Sequence, residues 1–207
     1  MSEFEYLFSS PVSATILTIT LITSIRAFSD PELKARFIFN PVRILRGREF
    51  QRLFTSGLIH GSVMHLAFNM LAFYFFAFPL ERILGHWQFA MLYMASLAIS
   101  DIPSLIRYRD QEGYNSLGAS GAVSAIVFSV ILFDPEIGIG LIFIPGYIPG
   151  WLFAILYIAF SFFASFRGGG NINHDAHIWG ALSGIVLTVL LEPGVVRSFN
   201  EWMSTAF

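Results

Sequence analysis

The chain has 207 residues, a formal net charge of −2, 55% hydrophobic residues and 13% charged residues. Soluble domains usually carry about 25% charged residues, so this composition excludes an ordinary soluble protein and indicates one that lies in a lipid bilayer. The chain contains no cysteine, which excludes disulfides, thiolate zinc sites and cysteine nucleophiles. We expect the bilayer as a partner and no nucleic acid, and the sequence leaves the oligomeric state open.

Apolar runs of membrane-spanning length predict an all-α, polytopic bundle of six helices in one domain that covers residues 1–207. In chain order, the spans are predicted at about 12–28, 57–81, 86–106, 117–133, 150–166 and 176–192. The first is expected to be retained, because the acidic N-terminus lacks the positive region of a cleaved signal peptide. Segment 134–150 is apolar but rich in glycine and proline, which predicts a loop at the membrane surface.

Four polar residues are predicted at similar depth below one membrane face. With six spans, the second, fourth and sixth helices all begin on the same side. His65 and Asn69 lie two to three turns into the second helix, Ser120 about one turn into the fourth, and His177 at the start of the sixth. Because polar side chains within a bilayer are costly and usually face the bundle interior, each is a functional candidate.

Taken singly, these residues have structural explanations. Ser120 lies in GASG, a pattern typical of close helix packing. His65 and Asn69 are four residues apart and share a helix face, as do His177 and the two glycines that follow it at 180 and 184. Interhelical hydrogen bonds would account for His65 and Asn69, and tight packing for His177 and its glycines.

Taken together, the residues indicate acyl transfer. A serine and a histidine on two close-packed helices fit a nucleophile and its base, and Gly118, Gly180 and Gly184 would let the helices approach each other. His65 and Asn69, with backbone N–H groups near Ser120, would donate hydrogen bonds to an oxyanion. No acidic third member is evident, so we predict a Ser120–His177 dyad.

The two polar residues beside the predicted base have other expected roles. Asp175 is predicted to cap the N-terminus of the sixth helix. His174 lies at the loop boundary, where we expect it to meet water or lipid headgroups.

Three segments carry the candidate residues: HGSVMHLAFN (60–69), GASGA (118–122) and AHIWGALSG (176–184). They resemble the signature elements of the rhomboid intramembrane serine proteases. ERILG (81–85) is similar to the family's Glu-x-x-x-Gly element, and Arg52 to the arginine of its Trp-Arg element. The matches occur in the family's order and cover essentially the whole chain.

The resemblance implies a six-helix rhomboid-like fold and a serine protease that hydrolyses transmembrane protein substrates. It implies that Ser120 is the nucleophile, His177 the general base, and His65 and Asn69 the side chains of the oxyanion site. Gly180 and Gly184 would pack the sixth helix against the fourth, whereas Glu81, Arg52 and His60 match structural positions. No metal or cofactor is implied, and the bacterial inner membrane is the expected location.

The sequence departs from the family's pattern in three ways. Gln51 replaces the tryptophan of Trp-Arg, and Ser124 stands where an aromatic residue commonly packs on the base, which predicts weaker packing around His177. Of the twelve Lys and Arg residues, all but Arg82 and Arg197 fall in the first, third and fifth loops. That charge distribution predicts a cytoplasmic active-site face, whereas the resemblance implies the opposite face.

Two alternatives follow from the same residues. One is a catalytically inactive rhomboid-like protein that binds transmembrane segments without cutting them. The other is a metal transporter or membrane metalloenzyme that uses His60, His65, His174 and His177, although the usual HExxH signature is absent. The glycine-rich link 166–173 is interpreted either as a mobile cap over the site or as a plain connector.

Overall fold

A computed structural model describes residues 9–141, 144–167 and 173–206, which form ten α-helices and a two-stranded sheet. The first loop and its preceding helix comprise α1 (Pro11–Ser29), α2 (Pro31–Phe37), α3 (Pro41–Leu45) and α4 (Arg52–Thr55). Then follow α5 (Val63–Leu84), α6 (His86–Arg107), α7 (Ser120–Phe133), β1 (Gly138–Leu141), β2 (Ile144–Pro149), α8 (Gly150–Arg167), α9 (His174–Leu191) and α10 (Gly194–Ala206).

Six apolar helices correspond to the six predicted spans, so the predicted all-α membrane bundle is confirmed. Helices α1, α5, α6 and α9 are long and apolar enough to cross a membrane, while α7 and the apolar part of α8, Gly150–Ser165, are shorter. The starts of two spans were wrong. The second helix begins at Val63 instead of residue 57, and the fourth at Ser120 instead of residue 117.

Loop contacts account for both late starts. Residues Ser56–Leu58 form a 3-10 turn, and the Ser62 side chain then caps α5 by accepting the N–H of His65 at 3.2 Å. Before α7, the Gly118 N–H is donated to the Ser56 carbonyl at 2.9 Å. These backbone groups therefore serve loop contacts, which the apolarity of the segments does not reveal.

Other elements were not predicted. The segment interpreted as a surface loop contains the antiparallel β1–β2 hairpin. After the last span, α10 turns one face towards the bundle, with Val195 buried and Phe199 and Trp202 half-buried at helical spacing. The Trp202 indole N–H is donated to a carboxylate oxygen of Glu136 at 3.1 Å, which ties α10 to the start of the hairpin.

Helix α7 lies at the centre of the bundle. Every residue from Gly121 to Ile131 is buried, and the helix packs against α5, α6 and α9. Its 14 residues make a helix of about 21 Å at 1.5 Å per residue, against a hydrocarbon thickness of about 30 Å. A helix this short does not cross that thickness by itself, and its first residue is Ser120.

Backbones of α7 and α9 approach closely at two glycines. A Cβ atom on Gly180 would collide with the carbonyl oxygen of Gly121, and one on Gly184 with that of Ala125. Below these contacts, the Thr188 hydroxyl donates to Ser129 Oγ at 2.8 Å. Close packing of small residues and interhelical hydroxyl bonds are the usual forces of helix association in lipid, and both act at this interface.

A buried carboxylate fixes α1 to the rest of the bundle. Glu81, fully buried near the end of α5, accepts the N–H groups of Val12 at 3.0 Å and Ser13 at 2.6 Å. His86 Nδ1 lies 2.7 Å from the same carboxylate. Negative charge is favourable at a helix N-terminus, so Glu81 serves as the cap of α1 from a distant part of the chain.

Substitution of Gly184 by alanine tests the α7–α9 interface. We expect Gly184→Ala to lower stability by roughly 1–3 kcal/mol because the added methyl group forces the two helices apart. Thermal unfolding of the detergent-solubilised protein measures the change. Gly113→Ala is the matched control, since a Cβ there meets nothing within 4 Å; equal melting temperatures for the two variants would contradict the packing argument.

Candidate active site

Ser120 and His177 meet across the α7–α9 interface. Ser120 is the first residue of α7 and His177 is the fourth residue of α9. A hydrogen bond of 2.9 Å joins His177 Nε2 to Ser120 Oγ. The glycine contacts lie on the same face of α9 as His177, one and two turns further along, so close packing brings the two side chains within bonding distance.

The turn before Ser120 is shaped by a glycine. Gly118 has a φ of +111°, a conformation that favours glycine. A Cβ at this position would lie 2.7 Å from Cε1 of His65. The His65 imidazole therefore packs directly against the backbone that leads into Ser120. The first N–H groups of a helix have no intrahelical partner, and those of α7 follow directly after this turn.

Asn69 lies one turn beyond His65 on the same face of α5 and is buried. Its side-chain nitrogen donates to the backbone carbonyl of His65 at 3.0 Å. Its side-chain oxygen is buried and has no partner among the described residues. The structure thus brings His65 to the turn before Ser120 and places Asn69 deeper along the same helix face.

His60 connects α1, the second span and the site. Its Nδ1 lies 2.9 Å from Ser24 Oγ, whose hydroxyl also lies 3.0 Å from the Leu58 carbonyl. Its Nε2 accepts a long bond of 3.5 Å from the N–H of Ala119, next to Ser120. A neutral ring with its proton on Nδ1 satisfies all three contacts.

Burial lowers the pKa of His60 from 6.5 to about 3, with a smaller contribution from the neighbouring His65, whose ring centroid lies 4.9 Å away. The neutral ring that the contacts require is therefore also the form that burial favours. His60 thus links α1 to the turn before α7 through its hydrogen bonds, a structural position of the kind that the resemblance implied.

The loops above the site are joined by backbone pairing and one buried arginine. Phe39 and Ser116 exchange backbone hydrogen bonds of 3.0 and 3.1 Å, which joins the first loop to the third. Arg52 is 2% exposed and donates to the carbonyls of Ala35 and Ile38 at 2.8 and 2.7 Å. Gln51, which replaces the tryptophan of the family's Trp-Arg element, is exposed, and Arg52 makes its hydrogen bonds without that tryptophan.

The start of α9 differs from the prediction. Asn173, not Asp175, caps the helix, because its side-chain oxygen accepts the N–H of Ala176 at 3.1 Å. Asp175 pairs instead with Arg107 at 3.1 Å. His174 lies at the helix boundary as predicted, but it is half-buried, with its ring edge-on to those of Phe160 and His177. The proposed cap 166–173 falls mostly outside the described residues.

The packing of His177 is not weakened in the way that Ser124 predicted. Tyr157 of α8 lies nearly parallel to the His177 ring, with centroids 6.1 Å apart and an interplanar angle of 26°. Its hydroxyl lies 2.5 Å from Ser124 Oγ. Sequence reasoning missed Tyr157 because α8 carries aromatic residues on several faces; the small residue at 124 was the one available signal.

The histidines do not gather into a ligand set. Within the described residues, no three histidine, aspartate or glutamate side chains come close enough together to hold a metal ion. The carboxylate nearest in sequence, Asp175, is engaged by Arg107. The geometry therefore gives no support to the metal-transporter alternative.

Comparisons with known proteins agree with the fold and the order of the motifs. The model of a family described as "Rhomboid domain" matches residues 47–193. The chain is 32% identical to "Putative rhomboid protease YdcA" of Bacillus subtilis (strain 168) over 145 residues, 69% of this chain and 67% of the relative.

Two further relatives are similar over more of this chain but less of their own length. RHOMBOID-like protein 12, mitochondrial, of Arabidopsis thaliana is 28% identical over 83% of this chain and 55% of the relative. Rhomboid protease GluP of Bacillus subtilis (strain 168) is 27% identical over 98% of this chain and 38% of the relative. The chain thus spans about half, or less, of these two relatives.

A pH titration of stability tests the neutral state of His60. Between pH 6.5 and about 3 the unfolded chain binds a proton at His60 that the folded chain does not. Stability should therefore fall as the pH falls, by up to about 1.4 kcal/mol per pH unit from this group. Thermal unfolding in detergent from pH 7.5 downwards should show a shallower decline for His60→Gln; identical slopes would contradict the assignment.

Proposed function

Because the chain belongs to the rhomboid family, we propose that it is an intramembrane serine protease that hydrolyses peptide bonds in or near transmembrane segments of other membrane proteins. The single observation that carries this proposal is the 2.9 Å contact between Ser120 Oγ and His177 Nε2 at the start of two tightly packed helices. A serine hydroxyl bonded to an imidazole is the arrangement that nucleophilic catalysis requires.

In this mechanism Ser120 and His177 form a dyad. Ser120 Oγ attacks the carbonyl carbon of the substrate while His177 Nε2 takes its proton, and the histidine then returns that proton to the leaving amine. A water molecule, deprotonated by the same nitrogen, releases the acyl group and restores the serine. Asp175 has no part in this scheme, since it pairs with Arg107.

Three groups are suited to stabilise the oxyanion. The unpaired backbone N–H of Ser120 lies at the positive end of the α7 dipole. His65 packs against the adjoining turn at Gly118, and Asn69 follows on the same helix face with one side-chain N–H not used by its bond to His65. Preorganised donors of this kind stabilise the charge that develops on the carbonyl oxygen.

The proposed substrates are transmembrane proteins, and the proposed location is the bacterial inner membrane. The chain itself carries several apolar helices of membrane type. Ser120 starts a helix that is shorter than the bilayer, which supports cleavage near one membrane surface. Neither the scheme nor the described side chains call for a metal or a cofactor.

Removal of either dyad member should abolish cleavage. We expect Ser120→Ala and His177→Ala, reconstituted in proteoliposomes with a model transmembrane substrate, to lose activity by about 10³-fold or more. A fluorophosphonate probe should label the unmodified protein at Ser120 and leave Ser120→Ala unlabelled. Ser204→Ala, which removes an exposed hydroxyl of α10 away from the site, is the control and should keep both signals.

Cleavage that persists in Ser120→Ala would rule out this mechanism. A chain that neither cleaves nor reacts with the probe, but still binds the transmembrane substrate, would instead be the inactive rhomboid-like protein. Inhibition by a metal chelator would favour the metalloenzyme.

The oxyanion donors should affect turnover more than substrate binding. We expect His65→Ala and Asn69→Ala each to lower kcat by about 10- to 10³-fold with little change in KM, because their bonds form as charge develops on the substrate oxygen. Steady-state kinetics with the same substrate measure both constants. Asn115→Ala, on the exposed third loop, should leave them unchanged; a loss confined to KM would argue against the assigned role.

A further inference from the structure

The described residues around His177 include no carboxylate that holds its ring, so packing must orient the imidazole. One face lies against the ring of Tyr157, at 6.1 Å and 26°. His174 meets it edge-on, with centroids 5.8 Å apart and an angle of 80°. Asp175 is drawn away by Arg107. Tyr157 is thus the aromatic side chain that stacks on the candidate base.

Tyr157 is itself fixed on both sides. Its ring packs on Phe128 of α7 and on Phe153, one turn earlier in α8, each with centroids 5.6 Å apart. Its hydroxyl lies 2.5 Å from Ser124 Oγ, and Ser124 Oγ lies 2.8 Å from the backbone carbonyl of Ser120.

The direction of these hydrogen bonds follows from counting protons. Ser124 has one hydroxyl proton, which it donates to the Ser120 carbonyl because a carbonyl only accepts. Tyr157 must then donate its own proton to Ser124. The chain of bonds runs from Tyr157 through Ser124 to Ser120, and the tyrosine ring at its origin stacks on His177. Both candidate dyad residues are therefore linked to one side chain of α8.

We propose that Tyr157, anchored through Ser124, is a positioning residue that holds the His177 imidazole in the orientation in which Nε2 faces Ser120. This inference rests on the proposed role of His177 as the base. Ser124 is small enough to leave the space above the imidazole free for a ring that enters from α8. Tyr157 contacts neither the scissile bond nor a transferred proton in this scheme.

Removal of the ring should impair turnover while substrate binding is kept. We expect Tyr157→Ala to lower kcat by about ten-fold or more, because misplacement of a reacting group by a fraction of an ångström slows proton transfer. KM should change little. Phe163→Ala is the matched control, since it removes an aromatic ring of α8 that is 66% exposed, and it should behave as the unmodified protein.

Two further variants separate the stack from its anchor. Tyr157→Phe keeps the ring and loses the hydroxyl, and Ser124→Ala removes the acceptor, so both should show the same modest loss of kcat. Combining them should cause no further loss, since each breaks the same bond.

The exchange Ser124→Tyr with Tyr157→Ala supplies a ring from α7 instead, and it should recover much of the activity that Tyr157→Ala loses. Unchanged kcat in Tyr157→Ala would overturn the proposal.

A chemical probe reports on the ring without relying on proteolysis. Diethyl pyrocarbonate modifies accessible histidine nitrogens, and mass spectrometry locates the adduct. His177 should react several-fold faster in Tyr157→Ala than in the unmodified protein or in Phe163→Ala. If His177 reacts faster in Tyr157→Ala but the unmodified protein cleaves no substrate, the proposed function is wrong and the positioning role stands. Equal reaction rates in all three proteins would overturn the positioning role alone.

Discussion

The near contact of two helix backbones at Gly180 and Gly184 is the constraint on which the site depends. Because the glycines leave no room for a side chain, α9 is held against α7 at a fixed distance. That distance brings a residue one turn before Gly180 within 2.9 Å of the first residue of α7. A looser interface would leave both side chains present and out of reach of each other.

The second constraint is the cost of unsatisfied backbone groups within a membrane. Since α7 is short, the segment before it lies in the bundle without helical hydrogen bonds. Its backbone N–H and C=O groups therefore need hydrogen-bond partners from other parts of the protein. The Ser56 carbonyl and His60 Nε2 receive the N–H groups of Gly118 and Ala119. The loop contacts thus satisfy the backbone up to Ala119, and the first N–H groups of α7, beginning at Ser120, have no intrahelical partner.

The sequence predicted what depends on periodicity and on the order of motifs. The six apolar runs, the shared face of His177 with its glycines, and the side on which the polar groups meet all follow from spacing along helices. The N-terminus of α7, the cap at Asn173 and the pairing of Asp175 with Arg107 did not follow. The first and the last are decided by partners from distant parts of the chain, and Asn173 caps the helix while the neighbouring Asp175 is engaged by Arg107.

Tyr157 illustrates the same limit. The sequence shows Ser124 where the family commonly has an aromatic residue, which suggested a poorly packed His177. The ring that packs on His177 comes instead from α8. Because α8 carries aromatic residues on several faces, its sequence does not indicate which of them points towards His177. The correction required the packing of α8 against α7, which brings the Tyr157 hydroxyl to Ser124.

The two contacts of His177, with Ser120 and with Tyr157, involve different helices of the bundle. The separation of Ser120 and His177 is set by α7 and α9, whose glycines and hydroxyls make a close, central interface. The orientation of the imidazole rests on α8, a helix with an exposed outer surface that includes Ile155, Phe160 and Phe163. Tyr157 reaches the imidazole from this helix and is tied to α7 through Phe128 and Ser124. Distance and orientation are therefore set by different side chains, the first by the glycines of the central interface and the second by an aromatic ring from a helix at the edge of the bundle.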